Sequence, residues 1–222
     1  MHERRKVLIT GASGYMGSRL IPLLLARGHN VTALVRRGSE NKVPGGCRIV
    51  TGNVLDGRTF QHHLEPSQTI VHLVGVAHPG PAKAKEFVSI DQKSAIETIR
   101  AASDAGVDHF VYVSVAHPAP VMKAYIAART ICETELKRST LDATVLRPWY
   151  VLGPGHRWPY AIAPLYWIAE RLPGSREGAR RLGLVTIEQM THALATAAEE
   201  GAHGYQIMDV PAIRAARLPA AR

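Results

Sequence analysis

Apolar residues in this chain fall into short runs, and longer stretches with helical spacing separate these runs. The runs are rich in β-branched and aromatic residues, which is typical of strands buried in a parallel sheet. They are Val7–Ile9, Val31–Arg36, Cys47–Val50, Thr69–Val74, Phe110–Ser114 and Ala143–Arg147. Helices are predicted after the first run and over residues 57–64, 87–105 and 122–139. This alternation predicts an α/β fold, a Rossmann-like doubly wound parallel sheet with ligands at the carboxyl ends of its strands.

The character of the chain changes after Arg147, where Pro148 ends the sixth run. We therefore predict a nucleotide-binding domain over residues 1–147 and a small C-terminal part on the substrate side over residues 148–222. All three tryptophans and three of the seven tyrosines lie within residues 149–167. They form either the wall of an apolar ligand pocket or the core of a small subdomain. The elements predicted beyond them are a strand over Leu182–Val185, a helix over Ile187–Glu199, a strand over Tyr205–Met208 and a disordered tail from Ala212.

Three glycines at intervals of three residues follow the first run and open the first helix. In the segment KVLITGASGYMGSRL, Gly11 permits a tight turn, Gly14 lets a pyrophosphate approach the backbone, and Gly17 lets the helix pack closely on its strand. The helix N-terminus adds unpaired N–H groups and the positive end of a dipole. This order predicts a dinucleotide site rather than a purely structural turn, and it excludes a P-loop, which requires lysine at the position of Ser18. The predicted cofactor contacts in the turn are Gly11, Ser13, Gly14, Tyr15, Met16 and Gly17.

Two arginines at the end of the second run bear on the choice of cofactor. Sites specific for NAD place an acidic residue about 20 positions beyond the glycines, where it binds the ribose 2′-hydroxyl. Here Arg36 and Arg37 occupy that region and no acidic residue is present. An arginine fork binds a phosphate through two hydrogen bonds, and a carboxylate repels it. The sequence therefore favours NADP over NAD, with a solvated basic strand end as the alternative.

Further cofactor contacts are predicted at the carboxyl ends of the third and fourth strands. Asn53 stands where its side chain can bind an adenine amino group, although asparagine is also common in turns. Gly75 follows the fourth strand and again allows close approach to the backbone. Val54 and Leu73 complete the predicted set.

Composition limits the remaining classes of function. The chain has 222 residues and a net charge of +9, and residues 1–50 alone carry nine basic and two acidic residues. An anionic nucleotide explains part of this excess, while the absence of basic runs interleaved with aromatic residues argues against nucleic acid as a partner. No apolar run reaches the roughly 18 residues of a membrane span, and the charged start has no signal-peptide pattern. Two isolated cysteines fit a reducing cytoplasm. The His62–His63 pair lacks further ligands, so no metal site is predicted.

Together these motifs resemble the short-chain dehydrogenase/reductase superfamily. The resemblance is to its extended and atypical branches, the NAD-dependent epimerase/dehydratase and NmrA-like proteins. It rests on TGASGYMG, on the fifth strand ending in Ser114, on Tyr125 followed four residues later by a basic residue, and on LRPWYVLGPG. These motifs cover the chain from residue 6 to about residue 210.

The resemblance implies a catalytic set at Ser114, Tyr125 and Arg129. In the family the serine polarises a substrate oxygen, the tyrosine is the general acid/base, and a lysine one helical turn later binds the nicotinamide ribose and lowers the tyrosine pKa. Here Arg129 takes the place of the lysine, and Ser114 is followed by Val115 where the family often has a second serine. Pro148 matches the proline whose following loop packs beside the nicotinamide.

Two hypotheses follow from the resemblance. The first is an NADP-dependent oxidoreductase acting on a small carbonyl or sugar-derived substrate, with Tyr125 as acid/base. The second is a non-catalytic NADP(H)-binding regulator or accessory subunit with a degenerate catalytic set. The family often forms homodimers through the two helices predicted here at 87–105 and 122–139, which makes a homodimer an expectation.

Overall fold

A parallel β-sheet is the centre of the computed structural model, which describes residues 4–66, 68–119, 121–155, 178, 181–201 and 203–216. The strands are β1 (Lys6–Thr10), β2 (Asn30–Val35), β3 (Arg48–Thr51), β4 (Gln68–His72), β5 (His109–Val113), β6 (Asp142–Leu146), β7 (Tyr150–Leu152), β8 (Leu184–Thr186) and β9 (Tyr205–Met208). The central sheet has seven strands in the order β3-β2-β1-β4-β5-β6-β9, and all of its neighbouring pairs are parallel. Strands β7 and β8 form a separate parallel pair.

Helices cover both faces of the central sheet, so the predicted doubly wound α/β fold is confirmed. They are α1 (Gly17–Ala26), α2 (Ala84–Glu86), α3 (Lys93–Asp104), α4 (Lys123–Arg138), α5 (Ile187–Glu200) and α6 (Val210–Ala215). A π-helical turn over Phe87–Gln92 joins α2 to α3. In the described residues no helix has both the length and the apolar composition that crossing a membrane requires.

Each strand of the sheet's centre sends alternate side chains to opposite faces, and this alternation builds two cores. Val7 and Ile9 of β1 join the core beneath α1 and α5, whereas Leu8 joins the core beneath α3 and α4. All three are essentially inaccessible to solvent. Burying each such side chain stabilises the fold by about 1.5–3 kcal/mol, which explains why runs without polar alternation became strands.

The order of the strands reverses between β1 and β4, which lie side by side. Leu8 of β1 is opposite Thr32 of β2 on one side and Ile70 of β4 on the other. At such a reversal the loops leaving the two strands turn to opposite faces and open a crevice at the carboxyl edge. The glycine turn after β1 and the segment Leu73–Val76 after β4 are the two walls of that crevice.

Two predictions about local structure were wrong, and one short strand was missed. The helix predicted over residues 57–64 is two short 3₁₀ turns, Gly57–Thr59 and Gln61–His63. The strand β7 was missed because it has only three residues. The tail predicted to be disordered from Ala212 instead begins inside α6.

Helix α6 has a clear physical cause. Asp209 caps it by accepting a hydrogen bond from the backbone N–H of Ala212 (3.0 Å). Val210 and Ile213 are completely buried against the core of α1 and α5. One turn of a capped helix with two buried apolar residues is therefore enough to order this part of the chain.

The C-terminal part also completes the main sheet, since β9 pairs with β6 and α5 packs on α1. The division of the chain at residue 147 stays a prediction. Of the aromatic cluster, Trp149 and Tyr150 are described, with ring centroids 5.5 Å apart in an edge-on arrangement. The other members, Trp158, Tyr160, Tyr166 and Trp167, lie outside the described residues.

Candidate functional site

The glycine turn adopts the backbone that its sequence requires. Gly11 has a φ of +71°, and a Cβ there would lie 3.0 Å from the carbonyl carbon of Leu73 in the neighbouring loop. A Cβ at Gly17 would lie 2.5 Å from the Gly11 carbonyl oxygen, which no side chain tolerates. The packing at the junction of β1 and α1 thus requires glycine at positions 11 and 17.

Gly14 differs from the other two glycines because it is exposed at the mouth of the crevice. Its N–H is donated to the Gly11 carbonyl oxygen at 2.9 Å, so its contribution to a ligand is the absence of a side chain. Helix α1 starts next to it, with no acidic residue in its first turn and no side-chain cap at Met16. A bare backbone surface beside an uncapped helix N-terminus suits a pyrophosphate, so the residues present fit a dinucleotide.

The Tyr15 side chain reaches the segment that follows β7. Its hydroxyl occupies the space that a Cβ at Gly153 would fill. The Arg19 guanidinium lies 4.2 Å from the centre of the Tyr15 ring, and it donates a hydrogen bond to the Tyr15 carbonyl oxygen at 2.8 Å. Tyr15 therefore connects the glycine turn to the C-terminal part, while Ser13 and Met16 of the same turn are half-buried.

Arg36 and Arg37 follow directly after β2 and are both exposed at the carboxyl edge. This places them one strand away from the glycine turn, on the side of the sheet that also carries β3. Other cations of the basic N-terminal region do not share this location. Arg4, Lys6 and Arg48 lie at the amino ends of the strands, around a cavity at the opposite edge of the sheet. A cofactor at the carboxyl edge therefore explains only part of the positive charge of residues 1–50.

Asn53 is engaged in the turn after β3. Its side-chain oxygen accepts a hydrogen bond from the N–H of Leu55 (3.1 Å), and its own N–H donates to the Thr59 hydroxyl (2.9 Å). This is an Asx turn, the alternative role that asparagine has in loops. Asn53, with its side-chain amide nitrogen, is exposed, and the neighbouring Val54 is half-buried.

Gly75 lies directly over the guanidinium of Arg129. A Cβ at this position would be 2.5 Å from Nη2 of Arg129 and 3.2 Å from a carboxylate oxygen of Asp91. Gly75 therefore permits close approach of the loop to the ion pair of Arg129 and Asp91 in the protein interior. Leu73, two residues before Gly75, is half-buried. Whether Leu73 and Gly75 also contact a cofactor stays a prediction.

Arg129 is buried, with 5% of its surface exposed, and its terminal nitrogens bind protein groups. Nη2 donates to Oδ1 of Asp91 at 2.5 Å, and Nη1 donates to the Val113 carbonyl oxygen at 2.9 Å. Nη1 also lies 3.3 Å from the Tyr112 hydroxyl. Sequence reasoning missed Asp91, because its partner lies 38 residues away in the chain.

Tyr125 occupies the first turn of α4 and is half-buried. Its ring packs against Phe87 of the π-helical turn, with centroids 4.9 Å apart. The Arg129 guanidinium lies 5.1 Å from the centre of the same ring. The structure thus brings Tyr125 and Arg129 together on one helix face, as residues four apart in a helix must be, but the guanidinium faces the ring.

Ser114 is buried directly after β5, and its hydroxyl donates a 2.6 Å hydrogen bond to Oε1 of Glu133. Glu133 also binds Arg147 in a close ion pair and accepts a hydrogen bond from the Tyr205 hydroxyl (3.1 Å). His117 places its Nε2 3.5 Å from the same carboxylate. Glu133 is thus the centre of a buried polar cluster, which no sequence pattern indicated.

One buried histidine lies behind this edge of the sheet. His72 ends β4 without exposure to solvent and pairs through Nδ1 with the Thr10 hydroxyl at 2.9 Å. Burial, reinforced by the charge of Arg129, lowers the pKa of His72 to about 3. The imidazole is therefore neutral at physiological pH and cannot serve as an alternative proton donor there.

A cavity of about 370 Å³ opens where β5, β6 and β9 end. Pro148 is buried nearby, and its carbonyl oxygen accepts a hydrogen bond from the N–H of Ala116 (2.9 Å). The residues lining the cavity are Ala116, His117, Arg147, Arg181, Ile207, Asp209 and Pro211. In the described part of the chain no cluster of three or more histidine, cysteine or acidic residues could hold a metal ion.

The NAD(P)H-binding family model matches residues 11–158, the stretch that runs from the glycine turn past Pro148. The chain belongs to the NAD(P)H-binding family. Solved structures share its fold. The NAD⁺ complex of the Bordetella bronchiseptica enzyme WbmH superposes with a TM-score of 0.68 at 23% identity, covering 93% of this chain and 76% of that one.

Curated relatives of this NAD(P)H-binding chain include both an enzyme and an assembly factor. The 3-diazoavenalumate denitrifying reductase of a Streptomyces species is 28% identical over 96% of this chain and 79% of its own length. The photosystem II assembly factor Ycf39 of Synechocystis is 28% identical over 64% of this chain. The chain spans less than half the length of that factor, 44%.

Proposed function

We propose that this NAD(P)H-binding protein holds NADP(H) at the carboxyl edge of its sheet without using Ser114, Tyr125 and Arg129 as a proton-transfer set. The observation that supports this most directly is the direction of three hydrogen bonds. The Ser114 hydroxyl donates to Glu133, and Arg129 donates to Asp91 and to the Val113 carbonyl oxygen. The Ser114 hydroxyl proton and two of the Arg129 donors are therefore directed at protein groups rather than at a substrate oxygen or a ribose.

The residues proposed to hold the dinucleotide lie along the crevice from β2 to β6. The glycine turn holds the pyrophosphate, Arg36 and Arg37 bind the 2′-phosphate, and Asn53 lies beside the adenine. A bound nicotinamide dinucleotide supplies a hydride donor or acceptor. The protein's own residues bind and orient it, in the manner of a regulator or accessory subunit that senses the nucleotide.

Arg36→Ala is expected to weaken NADPH binding about tenfold or more and to leave NADH binding nearly unchanged. A hydrogen bond to a charged group contributes roughly 1.5–3 kcal/mol, and only NADPH carries the 2′-phosphate. Calorimetric titration of both nucleotides measures the two affinities. Arg48→Ala is the matched control, because Arg48 is an exposed arginine at the amino end of β3. Equal affinities for NADPH and NADH in the unmutated protein would contradict the preference for NADP.

The second candidate is an NADP-dependent reductase acting on a small carbonyl or sugar-derived substrate. It is favoured by the cavity where β5, β6 and β9 end, which offers room for a substrate beside the crevice. Tyr125 is its acid/base, as the family resemblance implies, and the Arg129 guanidinium lies 5.1 Å from the centre of its ring. The Streptomyces reductase supports this candidate, because the similarity covers 96% of this chain and 79% of the reductase.

Tyr125→Phe separates the two candidates. We expect the unmutated protein to bind NADPH and to oxidise it slowly or not at all with carbonyl substrates, and Tyr125→Phe to leave the affinity unchanged. Binding is followed by calorimetry and turnover by the absorbance of NADPH. Fast turnover that disappears in Tyr125→Phe would establish the reductase. Fast turnover that survives would place the proton donor elsewhere.

A further inference from the structure

Asp91 uses its two carboxylate oxygens in two different directions. Oδ1 accepts the hydrogen bond from Nη2 of Arg129 at 2.5 Å, and Oδ2 accepts the backbone N–H of Val76 at 2.9 Å. The side chain is completely buried in the π-helical turn. Such turns occur frequently at functional sites. Asp91 therefore joins the loop after β4 to helix α4.

The link continues through Arg129 to the next strand. Nη1 of Arg129 donates to the carbonyl oxygen of Val113, which ends β5. Gly75 lies on the guanidinium so closely that a Cβ would overlap Nη2. One carboxylate and one guanidinium thus fix the segment Gly75–Val76 relative to β5, at the edge of the sheet where the crevice opens.

The two halves of the sheet bind different parts of a dinucleotide. A doubly wound sheet carries one mononucleotide half on each side of the reversal in strand order. Arg36 follows β2, so the adenosine half lies over β1 to β3, and the nicotinamide half lies over β4 to β6. Asp91 contacts only elements of the second half in the bonds described above.

We propose that Asp91 is a positioning residue for the nicotinamide half of the cofactor. It acts through Val76 and Arg129 and does not touch the cofactor itself. The inference rests on the proposed function, since it requires a dinucleotide in the crevice. Without the carboxylate, the Gly75–Val76 backbone loses its fixed distance from β5 while the glycine turn after β1 keeps its geometry.

Asp91→Asn tests this role, because asparagine keeps the shape and an acceptor for Val76 but presents an N–H₂ group or a neutral oxygen to Arg129. Calorimetry compares NADPH with 2′,5′-ADP and NADH with 5′-ADP, so that each dinucleotide is matched by a fragment without nicotinamide. We expect Asp91→Asn to weaken binding of the dinucleotide at least about tenfold. Binding of the fragment should stay within about threefold.

Glu199→Gln is the matched control. Glu199 is also buried, and it accepts hydrogen bonds from Arg27 (2.7 Å) and His29 (2.9 Å) at the end of α1. Its loss perturbs a buried ion pair of the same kind at a site remote from the β4 and β5 loops. The ratio of dinucleotide affinity to fragment affinity should not change in this variant, even where the thermal stability falls.

The outcomes separate failure of this inference from failure of the proposed function. If the unmutated protein binds neither dinucleotide nor fragment, the proposed function is wrong. If it binds both and Asp91→Asn lowers the two affinities equally, or neither, Asp91 has no positioning role. Should Asp91→Asn not fold, Gly75→Ala keeps the Asp91 carboxylate but places a Cβ against Nη2 of Arg129, which displaces the loop, and the same split between dinucleotide and fragment is expected. An unchanged ratio in Gly75→Ala overturns the inference.

Discussion

Gly14→Val is expected to abolish dinucleotide binding and to leave the fold intact. Gly14 is exposed at the mouth of the crevice, and a Cβ there approaches only one backbone atom, the Gly11 carbonyl oxygen at 3.0 Å. The valine methyl groups then occupy the space proposed for the pyrophosphate. Calorimetry with NADPH and NADH measures the loss of affinity, and thermal unfolding checks that the variant is folded.

Gly17→Val provides the contrast within the same turn. Its Cβ would lie 2.5 Å from the Gly11 carbonyl oxygen and 2.6 Å from that of Ala12, so the backbone must move. Overpacking of this kind costs about 3 kcal/mol or more in the free energy of unfolding. A folded Gly14→Val protein that still binds the nucleotides as tightly as the unmutated chain would refute the placement of the pyrophosphate.

Glu133→Leu is expected to lower the free energy of unfolding by about 3 kcal/mol, because it removes the buried carboxylate that pairs with the half-buried Arg147 guanidinium. Ser114 and Tyr205 lose the acceptor for their hydroxyl groups in the same step. Urea unfolding measures the change. Glu135→Leu on the same helix is the control and should stay within about 0.5 kcal/mol, since it removes a charge outside this buried cluster. An equal effect of both variants would show that the cluster contributes nothing specific.

The same cluster makes stability depend on pH. Burial raises the pKa of Glu133, but hydrogen bonds from Arg147 and Ser114 more than offset this, so the pKa lies below its ordinary value. A carboxylate with a lowered pKa stabilises the fold fully above its unfolded pKa of about 4.3. This contribution is lost as the pH falls through the folded pKa. The loss of stability below about pH 4 should therefore be smaller in Glu133→Leu than in the unmutated protein.

Much of the fold could be predicted from the sequence because its strands are buried on both faces. A run such as Thr69–Val74 is compatible with few structures other than a central strand, and the observed β4 overlaps it. Even the edge strand Tyr205–Met208 was predicted with its exact ends. The three-residue strand β7 was not predicted, because so few residues carry no periodicity.

The two sides of the candidate site differ in how far sequence could predict them. The glycine turn is local, and its geometry follows from residues within one strand–helix junction. The roles of Ser114 and Arg129 depend instead on Glu133 and Asp91, which lie 19 and 38 residues away from them in the chain. Buried carboxylates have no pattern of their own in a sequence, so only the folded arrangement shows which donors they engage.

The contact between Tyr15 and Gly153 links positions that belong to different parts of the molecule. A residue of the glycine turn fills the place of a side chain in the segment after β7, so neither position can gain volume independently. A displacement of the Tyr15 ring toward Gly153 would therefore require the segment after β7 to move as well. The packing of this one tyrosine couples the position of the glycine turn to that of the chain beyond β7.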